Sequence, residues 1–334
     1  MDFLFFRETG TSIFFNGDWK MKKITIIVPC YNEEEVIPLF YSRIRPVMDS
    51  LPYDMGLLFI NDGSKDGTLQ RIKEIQAGDR RVHYLDLSRN YGKEIAMAAG
   101  FDYAAGDAVI NIDCDLQDPP ELIPEMVRYW EEGYDDVYAQ RISRNGDPWF
   151  KRVTARAFYR LLARMTTIPV QIDTGDFRLL SRRAVNALKS MRESQRYTKG
   201  LYSLVGFRKK AVPYERDTRA AGKTKWNYRK LFGLAVEGIT SFTTMPLRIS
   251  TVVGIFTSFA SFLYIVYIVL KTVIWGRDMP GYASMVSFVL FFGGLQLLAL
   301  GILGEYVGRI FMETKRRPLY FVNEYTGDAH ETEP

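Results

Sequence analysis

Two aspartates one residue apart, Asp113 and Asp115, follow an apolar stretch in the segment NIDCDLQDPPE. Carboxylates this close repel each other strongly unless a cation lies between them. Hard oxygen ligands of this kind suit Mg²⁺ or Mn²⁺, and such ions commonly hold phosphates. Gln117 and Asp118 follow at once. In isolation, aspartates at this spacing are more often an acidic turn on the surface. Whether they form a metal site instead depends on the elements that flank them.

The segment before these aspartates, AVINID, has the pattern of a buried strand. The acids therefore fall at the carboxyl end of a strand, which is where open α/β sheets bind their ligands. This placement favours a metal–diphosphate site over a surface turn.

Residues 23–141 alternate regularly between strand and helix patterns. The predicted strands are 23–29, 55–62, 82–88, 108–115 and 135–141. The predicted helices are 32–51, 63–78, 93–106 and 120–133. Such alternation predicts an α/β fold with a doubly wound, mostly parallel sheet.

The loop after the first strand, VPCYNEEE, has two interpretations. Tyr31 could stack on a flat base, and Glu33 could accept hydrogen bonds from the edge of the base or from a sugar. Asn32 and the acids could equally cap the following helix and stabilise its first turn.

Two further loops fall at strand ends beside Asp113. In NDGSKDGT, Asp62 lies where an acid commonly meets a ribose or base, although turn formation and a helix cap by Ser64 or Asp66 explain the segment equally well. Lys93 begins a helix and could reach a diphosphate or be a surface lysine. Because these loops share one edge of the predicted sheet, together they favour a crevice for a nucleotide diphosphate.

The C-terminal part of the chain is strongly apolar. The stretches Ile249–Leu270 and Met279–Gly304 carry no formal charge, and each is long enough to cross a bilayer core of about 30 Å as a helix. Both are apolar on all sides, which is rare for a helix of a soluble protein. They predict a transmembrane hairpin over 249–310, with spans at 249–270 and 281–304, rather than a buried helical pair.

Basic residues cluster beside the predicted spans. The net charge is +5, and nine basic but only two acidic residues lie between Arg208 and Lys230. The positive-inside rule then places the N-terminal domain and the tail 311–334 in the cytoplasm, with amphipathic helices of 228–248 at the lipid surface. This location in the chain argues against nucleic acid as the partner. The pattern GEYVG at 304–308 indicates a possible homo-oligomer.

The N-terminal segment and the few cysteines and histidines limit the possible classes of protein. Residues 1–20 have no signal-peptide pattern and precede a clean strand start after Met21, so we expect them to be an extraneous extension. The two cysteines, Cys30 and Cys114, and two histidines form no zinc or disulfide pattern.

Five segments in order, VPCYNEEE, NDGSKDGT, SRNYGKE, DCDLQDPPE and TGDFRLLSRR, resemble the family 2 inverting glycosyltransferases of the GT-A fold. The resemblance covers about residues 21–230. It is strongest to the branch of dolichol-phosphate mannose synthase and the bacterial bactoprenol (undecaprenyl-phosphate) glucosyltransferases, and the hairpin also matches the latter. A GT-A catalytic domain over 21–227 is therefore implied.

The resemblance implies a role for each matching residue. The nucleoside would be held by Pro29, Tyr31, Glu33 and Asp62. The divalent metal, Mg²⁺ or Mn²⁺, and the diphosphate would be held by Asp113, Asp115 and Gln117, with Lys93 also on the donor. Phosphate contacts would come from Arg141 and, in RAAGKTKW, from Arg219 and Lys225.

Two positions of the resemblance carry less definite roles. Asp176 in TGDF would be a base or an orienting acid, and the catalytic set would then be Asp115, Asp176 and Arg141. The alternative is that Asp176 is a structural turn residue. A serine that the branch commonly has near the acceptor aligns with Ala155, so no residue is assigned there.

The implied activity is inverting transfer of glucose from UDP-glucose to undecaprenyl (polyprenyl) phosphate at the bacterial inner membrane, for modification of a surface polysaccharide such as O-antigen. Alternatives are a mannose, galactose or modified arabinose donor, or a catalytically dead nucleotide-binding membrane tether. A processive polysaccharide synthase is disfavoured because SQRYTKG lacks the tryptophan of its Q-x-x-R-W motif.

Overall fold

The computed structural model of the protein describes residues 21–142, 174–194, 196–215, 245–275 and 281–327. Its strands are β1 (Lys23–Cys30), β2 (Asp54–Asn61), β3 (Val82–Leu87), β4 (Ala108–Asn111), β5 (Asp136–Arg141), β6 (Thr174–Ser181), β7 (Lys209–Tyr214) and β8 (Val322–Tyr325). Its α-helices are α1 (Ile37–Ser50), α2 (Thr68–Gly78), α3 (Lys93–Tyr103), α4 (Ile123–Glu131), α5 (Arg182–Ser190), α6 (Thr198–Leu204), α7 (Met245–Trp275) and α8 (Tyr282–Thr314).

The described strands form one eight-stranded sheet in the order β7-β5-β6-β4-β1-β2-β3-β8. The pairs β1–β2, β1–β4, β2–β3 and β5–β7 are parallel. Only β6 and β8 run against the others, β6 between β4 and β5 and β8 along β3. The prediction of a mostly parallel sheet is confirmed, with helices on both faces.

Strand β1 shows why its sequence is a continuous apolar run. Ile24 and Ile26 are buried on one face, in the cluster that contains Phe40 of α1. Ile27 is buried on the other face, in the cluster that contains Met97 of α3. A strand covered by helices on both faces needs apolar side chains in both directions. Strand β1 lies between β4 and β2 and is parallel to both, so the loops that follow these three strands emerge at the same edge of the sheet.

The start of the first helix differs from the prediction. Asn32 is not its N-cap, because α1 begins at Ile37. Asn32 instead has a left-handed backbone (φ 54°), its Oδ1 accepts a hydrogen bond from Lys65 N at 2.8 Å, and its own N–H donates to Ser64 Oγ at 3.0 Å. The side chain therefore joins two site loops, a contact 33 residues away in the chain.

Helices α7 and α8 are 31 and 33 residues long. The segments Met245–Ile274 and Phe288–Thr314 are long and apolar enough to cross a membrane, with mean hydropathy 2.2 and 1.8. Residues 245–248 belong to α7, so the helix begins before the predicted boundary at 249. The rest of the predicted amphipathic segment, 228–244, lies outside the described residues.

Strand β8 was not predicted. It follows α8 within the predicted tail and pairs antiparallel with β3, placing Leu85 opposite Tyr325. Its four residues, VNEY, have no buried apolar run, so nothing in their pattern distinguishes them from a solvated tail.

Candidate active site

The topology brings the predicted site loops to one edge of the sheet. The carboxyl ends of β1, β2, β3 and β4 meet there because these strands are parallel. Strand β6 is antiparallel to β4 and pairs Arg178 with Asn111, so its first residues, including Asp176, emerge at the same edge. Arg141 ends β5 beside them, because Gln140 pairs with Thr174.

Lys93 connects the two acidic segments of the site. Its Nζ lies 2.6 Å from Asp113 Oδ2 and 2.7 Å from Asp176 Oδ2. Burial lowers the pKa of Lys93, but the two carboxylates outweigh it and raise that pKa well above its usual value. Burial raises the pKa of Asp113. For Asp176 burial acts in the same direction, yet Lys93 and Lys199 hold its pKa well below its usual range.

The backbone and the surroundings of Asp176 are fixed by residues that the sequence analysis did not single out. Asn111 Nδ2 donates to the carbonyl oxygen of Asp176 at 2.8 Å, and Asn111 is fully buried. Glu94 Oε2 accepts a hydrogen bond from Thr198 N at 2.8 Å, which fastens α6 to the start of α3. A polar Asn in the apolar run AVIN was the one sequence signal for this arrangement.

A second cluster surrounds Arg141. Its Nε donates to Tyr214 Oη at 3.2 Å, and Tyr214 Oη donates to Asp118 Oδ1. Asp118 and Tyr214 are both buried. A Cβ placed on Gly175 would lie 3.6 Å from Arg141 Nη2 and 3.6 Å from Asp118 Oδ2. Tyr214 was not identified from the sequence, and Asp118 was noted only as a neighbour of the metal segment.

Asp62 makes its described contacts with the loop that leads to Lys93. Asp62 Oδ1 accepts from Tyr91 N at 2.7 Å and Oδ2 accepts from Gly92 N at 2.9 Å. Its carboxyl is buried, which raises its pKa although the two N–H groups act in the opposite direction. Gly92, with φ 92°, then leads directly into α3, so Asp62 fixes the start of the helix that carries Lys93.

The other predicted nucleoside residues lie at the same edge. Pro29 is the penultimate residue of β1, and Tyr31 and Glu33 follow it, all three half-buried. Asp62 N donates to Cys30 O at 2.9 Å, and Glu33 N donates to Thr68 Oγ1 at 2.8 Å. The loops after β1 and β2 are thus joined by hydrogen bonds.

The predicted metal ligands lie on one tight turn. Leu116 has φ 58°, and Asp115 Oδ1 accepts from Gln117 N at 3.2 Å. Asp113, Asp115 and Gln117 are half-buried and offer hard oxygen donors, which fits Mg²⁺ or Mn²⁺. Within the described residues there is no group of three or more Asp, Glu, His or Cys that could hold a metal. Two carboxylates with substrate phosphates are, however, a normal ligand set for Mg²⁺.

Three positions of the sequence analysis, Arg219, Lys225 and Ala155, lie outside the described residues.

Comparison with known proteins assigns the chain to a family. The model of Glycosyl transferase family 2 matches residues 25–189. The bactoprenol glucosyl transferase of Shigella phage SfX is 46% identical over 300 residues, which cover 90% of this chain and 98% of that protein. The chain belongs to glycosyl transferase family 2. The predicted resemblance is confirmed, the protein is a glycosyltransferase, and its mixed sheet is of the GT-A type.

Other comparisons cover both parts of this family 2 glycosyltransferase. The model of the GtrB C-terminal hairpin matches residues 245–310, which together with the two apolar helices indicates membrane association. An uncharacterized glycosyltransferase of Synechocystis sp. is 47% identical over 305 residues, 91% of this chain and 96% of that protein. Mannosyl-3-phosphoglycerate synthase from Rubrobacter xylanophilus is a solved structure with TM-score 0.46 and 17% identity, covering 65% of this chain and 71% of that one.

Proposed function

We propose that this protein transfers glucose from UDP-glucose to undecaprenyl phosphate with inversion at the anomeric carbon. The observation that carries this proposal is the 46% identity to a bactoprenol glucosyl transferase, because it extends over 98% of that protein and so includes both the catalytic domain and the hairpin. The product would be a lipid-phosphate-linked glucose for modification of a surface polysaccharide.

On the donor side, Pro29, Tyr31, Glu33 and Asp62 would hold the nucleoside, and Lys93 would contact the diphosphate. The ligands of a divalent ion, Mg²⁺ or Mn²⁺, would be Asp113, Asp115 and Gln117. When bound, such an ion supplies positive charge that stabilises the departing diphosphate.

Asp176 would orient Lys93 rather than accept a proton. Its carboxylate lies 2.7 Å from Lys93 Nζ, and the surrounding cations lower its pKa, which makes it a weak base. A phosphate monoester has its second pKa near 6 and is already a strong oxyanion at neutral pH. The acceptor therefore needs little help from a general base.

On the acceptor side, the difficulty is to bring a dianion close to a diphosphate sugar. Arg141, with Arg219 and Lys225, would offset this repulsion by binding the phosphates. Arg141 lies at the same sheet edge as the residues proposed for the donor, beside Gly175.

We further propose that α7 and α8 cross the bacterial inner membrane as a hairpin, with the catalytic domain and the tail in the cytoplasm. The basic residues near the spans support this orientation. Gly304 and Gly308 present an open small-residue face on α8, with no described atom within 4 Å of either added Cβ. This face is a candidate contact in a homo-oligomer.

The test uses full-length protein in detergent with undecaprenyl phosphate, Mg²⁺ and a panel of radiolabelled nucleotide sugars. We expect label to enter the organic phase from UDP-glucose alone and to be lost with EDTA and in Asp115→Ala. Asp54→Ala is the matched control, because Asp54 is exposed at the opposite end of the sheet. Transfer from another donor would replace the sugar. Retained UDP-sugar binding with no lipid product from any donor would contradict the proposal and favour a dead tether.

A further inference from the structure

Arg141, Tyr214 and Asp118 form a hydrogen-bonded chain whose direction is fixed. Arg141 and Tyr214 are paired residues at the ends of the parallel strands β5 and β7. The Nε–H of an arginine can only donate, and a phenol has one proton of its own to donate. Tyr214 Oη therefore accepts the hydrogen bond from Arg141 Nε at 3.2 Å and donates its own hydrogen bond to Asp118 Oδ1.

This chain determines which part of the guanidinium meets a ligand. With Nε bonded to Tyr214, the terminal groups Nη1 and Nη2 form the fork that can bind two oxygens of a phosphate. Nη2 lies beside Gly175, whose added Cβ would be 3.6 Å away. This is an ordinary van der Waals distance, so Gly175 borders the fork without crowding it.

Asp118 and Tyr214, which hold Arg141 in this hydrogen-bonded chain, are both buried, and Asp118 lies next to the predicted metal ligands. Asp118 is 2% and Tyr214 4% exposed, so neither group can change partner without leaving a buried polar atom unbonded, which is costly. Asp118 directly follows Gln117 in the chain. The turn that carries the predicted metal ligands therefore also fixes the hydroxyl that holds Arg141.

We propose that Tyr214, anchored by Asp118, is a positioning residue that aims the guanidinium fork of Arg141 at the phosphate of the lipid acceptor. The proposal rests on the proposed function, since it takes a phosphate monoester as the acceptor. It assigns Tyr214 no contact with the substrate.

The experiment is a double-mutant cycle in full-length protein in detergent, with farnesyl monophosphate as the probe and binding measured by calorimetry. We expect Tyr214→Phe to weaken binding of farnesyl monophosphate about tenfold, the scale of one hydrogen bond to a charged group. UDP affinity and the melting temperature report on the donor side and on folding, and we expect UDP affinity to change less than about twofold. Tyr134→Phe is the control, since the Tyr134 ring packs against Tyr129 away from this chain.

The decisive arm is the same substitution in an Arg141→Gln background. If Tyr214 acts through Arg141, Tyr214→Phe causes no further loss there, because coupled residues are not additive. Unchanged probe affinity in Tyr214→Phe, or an equal loss in both backgrounds, would overturn the proposal. Failure of the wild type to bind the probe would also overturn it. Failure of the wild type to form glycolipid, with the cycle intact, would count against the proposed function alone.

Discussion

Lys93 Nζ lies 2.6 Å from Asp113 Oδ2, which places a side-chain cation against the first aspartate of the predicted metal segment. The same ammonium group bridges to Asp176 at 2.7 Å. A divalent ion that binds Asp113 must therefore compete with Lys93, whereas a diphosphate would attract both cations.

Replacing Lys93 with Met should have opposite effects on metal and nucleotide binding. Removal of the ammonium leaves Asp113 without this cation, so Mn²⁺ affinity measured without nucleotide should rise about fivefold or more, and UDP affinity should fall by a similar factor. Titrations by electron paramagnetic resonance and calorimetry measure the two. Lys22→Met is the control. Lys22 pairs with Glu131 and directly precedes β1, at the edge of the sheet opposite the site. A parallel fall in both affinities would contradict this account.

Asp62→Asn should weaken donor binding and also destabilise the fold. One of the two N–H groups now bound, Tyr91 N or Gly92 N, would face an amide NH₂, which costs about 2 kcal/mol for a buried donor. We expect the melting temperature to fall by about 4–8 °C. A loss of UDP binding with an unchanged melting temperature would show that Asp62 serves the nucleoside only.

Gly63→Ala should be much more damaging than Gly78→Ala. Gly63 has φ +61°, and its added Cβ would lie 2.3 Å from the carbonyl carbon of Arg89 and 2.5 Å from Asn90 N, both backbone atoms. Gly78, the last residue of α2, has no such neighbour within 4 Å. We expect a loss above about 3 kcal/mol for Gly63→Ala and a change within about 1 kcal/mol for Gly78→Ala. Thermal unfolding and UDP binding compare the two; equal stability would disprove the close contact.

Arg178→Leu should destabilise the protein strongly. The Arg178 side chain is fully buried, its Nη1 lies 3.0 Å from Asp136 Oδ2, and its Cζ lies 3.5 Å from the centre of the Tyr202 ring. Leucine would leave Asp136 as a buried charge, at a cost of about 3–5 kcal/mol.

The control for this substitution is Arg43→Leu, which removes a surface pair with Glu121 and should cost less than about 1 kcal/mol. The melting temperatures of the two variants provide the comparison. Equal losses would mean that burial of the Arg178 pair adds nothing.

The sequence predicted the framework well because its signals are local. The apolar runs of β1 and β4 and the acids that follow them identify strand ends, and the parallel sheet then brings Asp62, Lys93 and Asp113 together. Asp176 was also recognised, but its contact with Lys93 joins residues 83 positions apart, and no local pattern encodes it.

The features that were not predicted also depend on contacts between residues far apart in the sequence. Asn32 has the residue type of a helix cap, yet its hydrogen bonds go to Ser64 and Lys65. Tyr214 lies 73 residues from Arg141 and 96 from Asp118. Such partners depend on strand order and register, which side-chain periodicity does not specify. Strand β8 was not predicted, because it is defined by its pairing with β3 and has no apolar pattern of its own.

Strand β8 limits how far the sheet can move from the end of α8. Eight residue steps separate Thr314 at the end of α8 from Val322 at the start of β8, a span of at most about 28 Å. Side chains reinforce the attachment, since Tyr320 Oη donates to Asp102 Oδ2 at 2.7 Å and Lys73 Nζ lies 2.8 Å from Glu324 Oε2. If α8 spans the bilayer, this connection keeps the reaction centre within a limited distance of the membrane surface. Both the arriving lipid phosphate and the departing glycolipid then stay within its range.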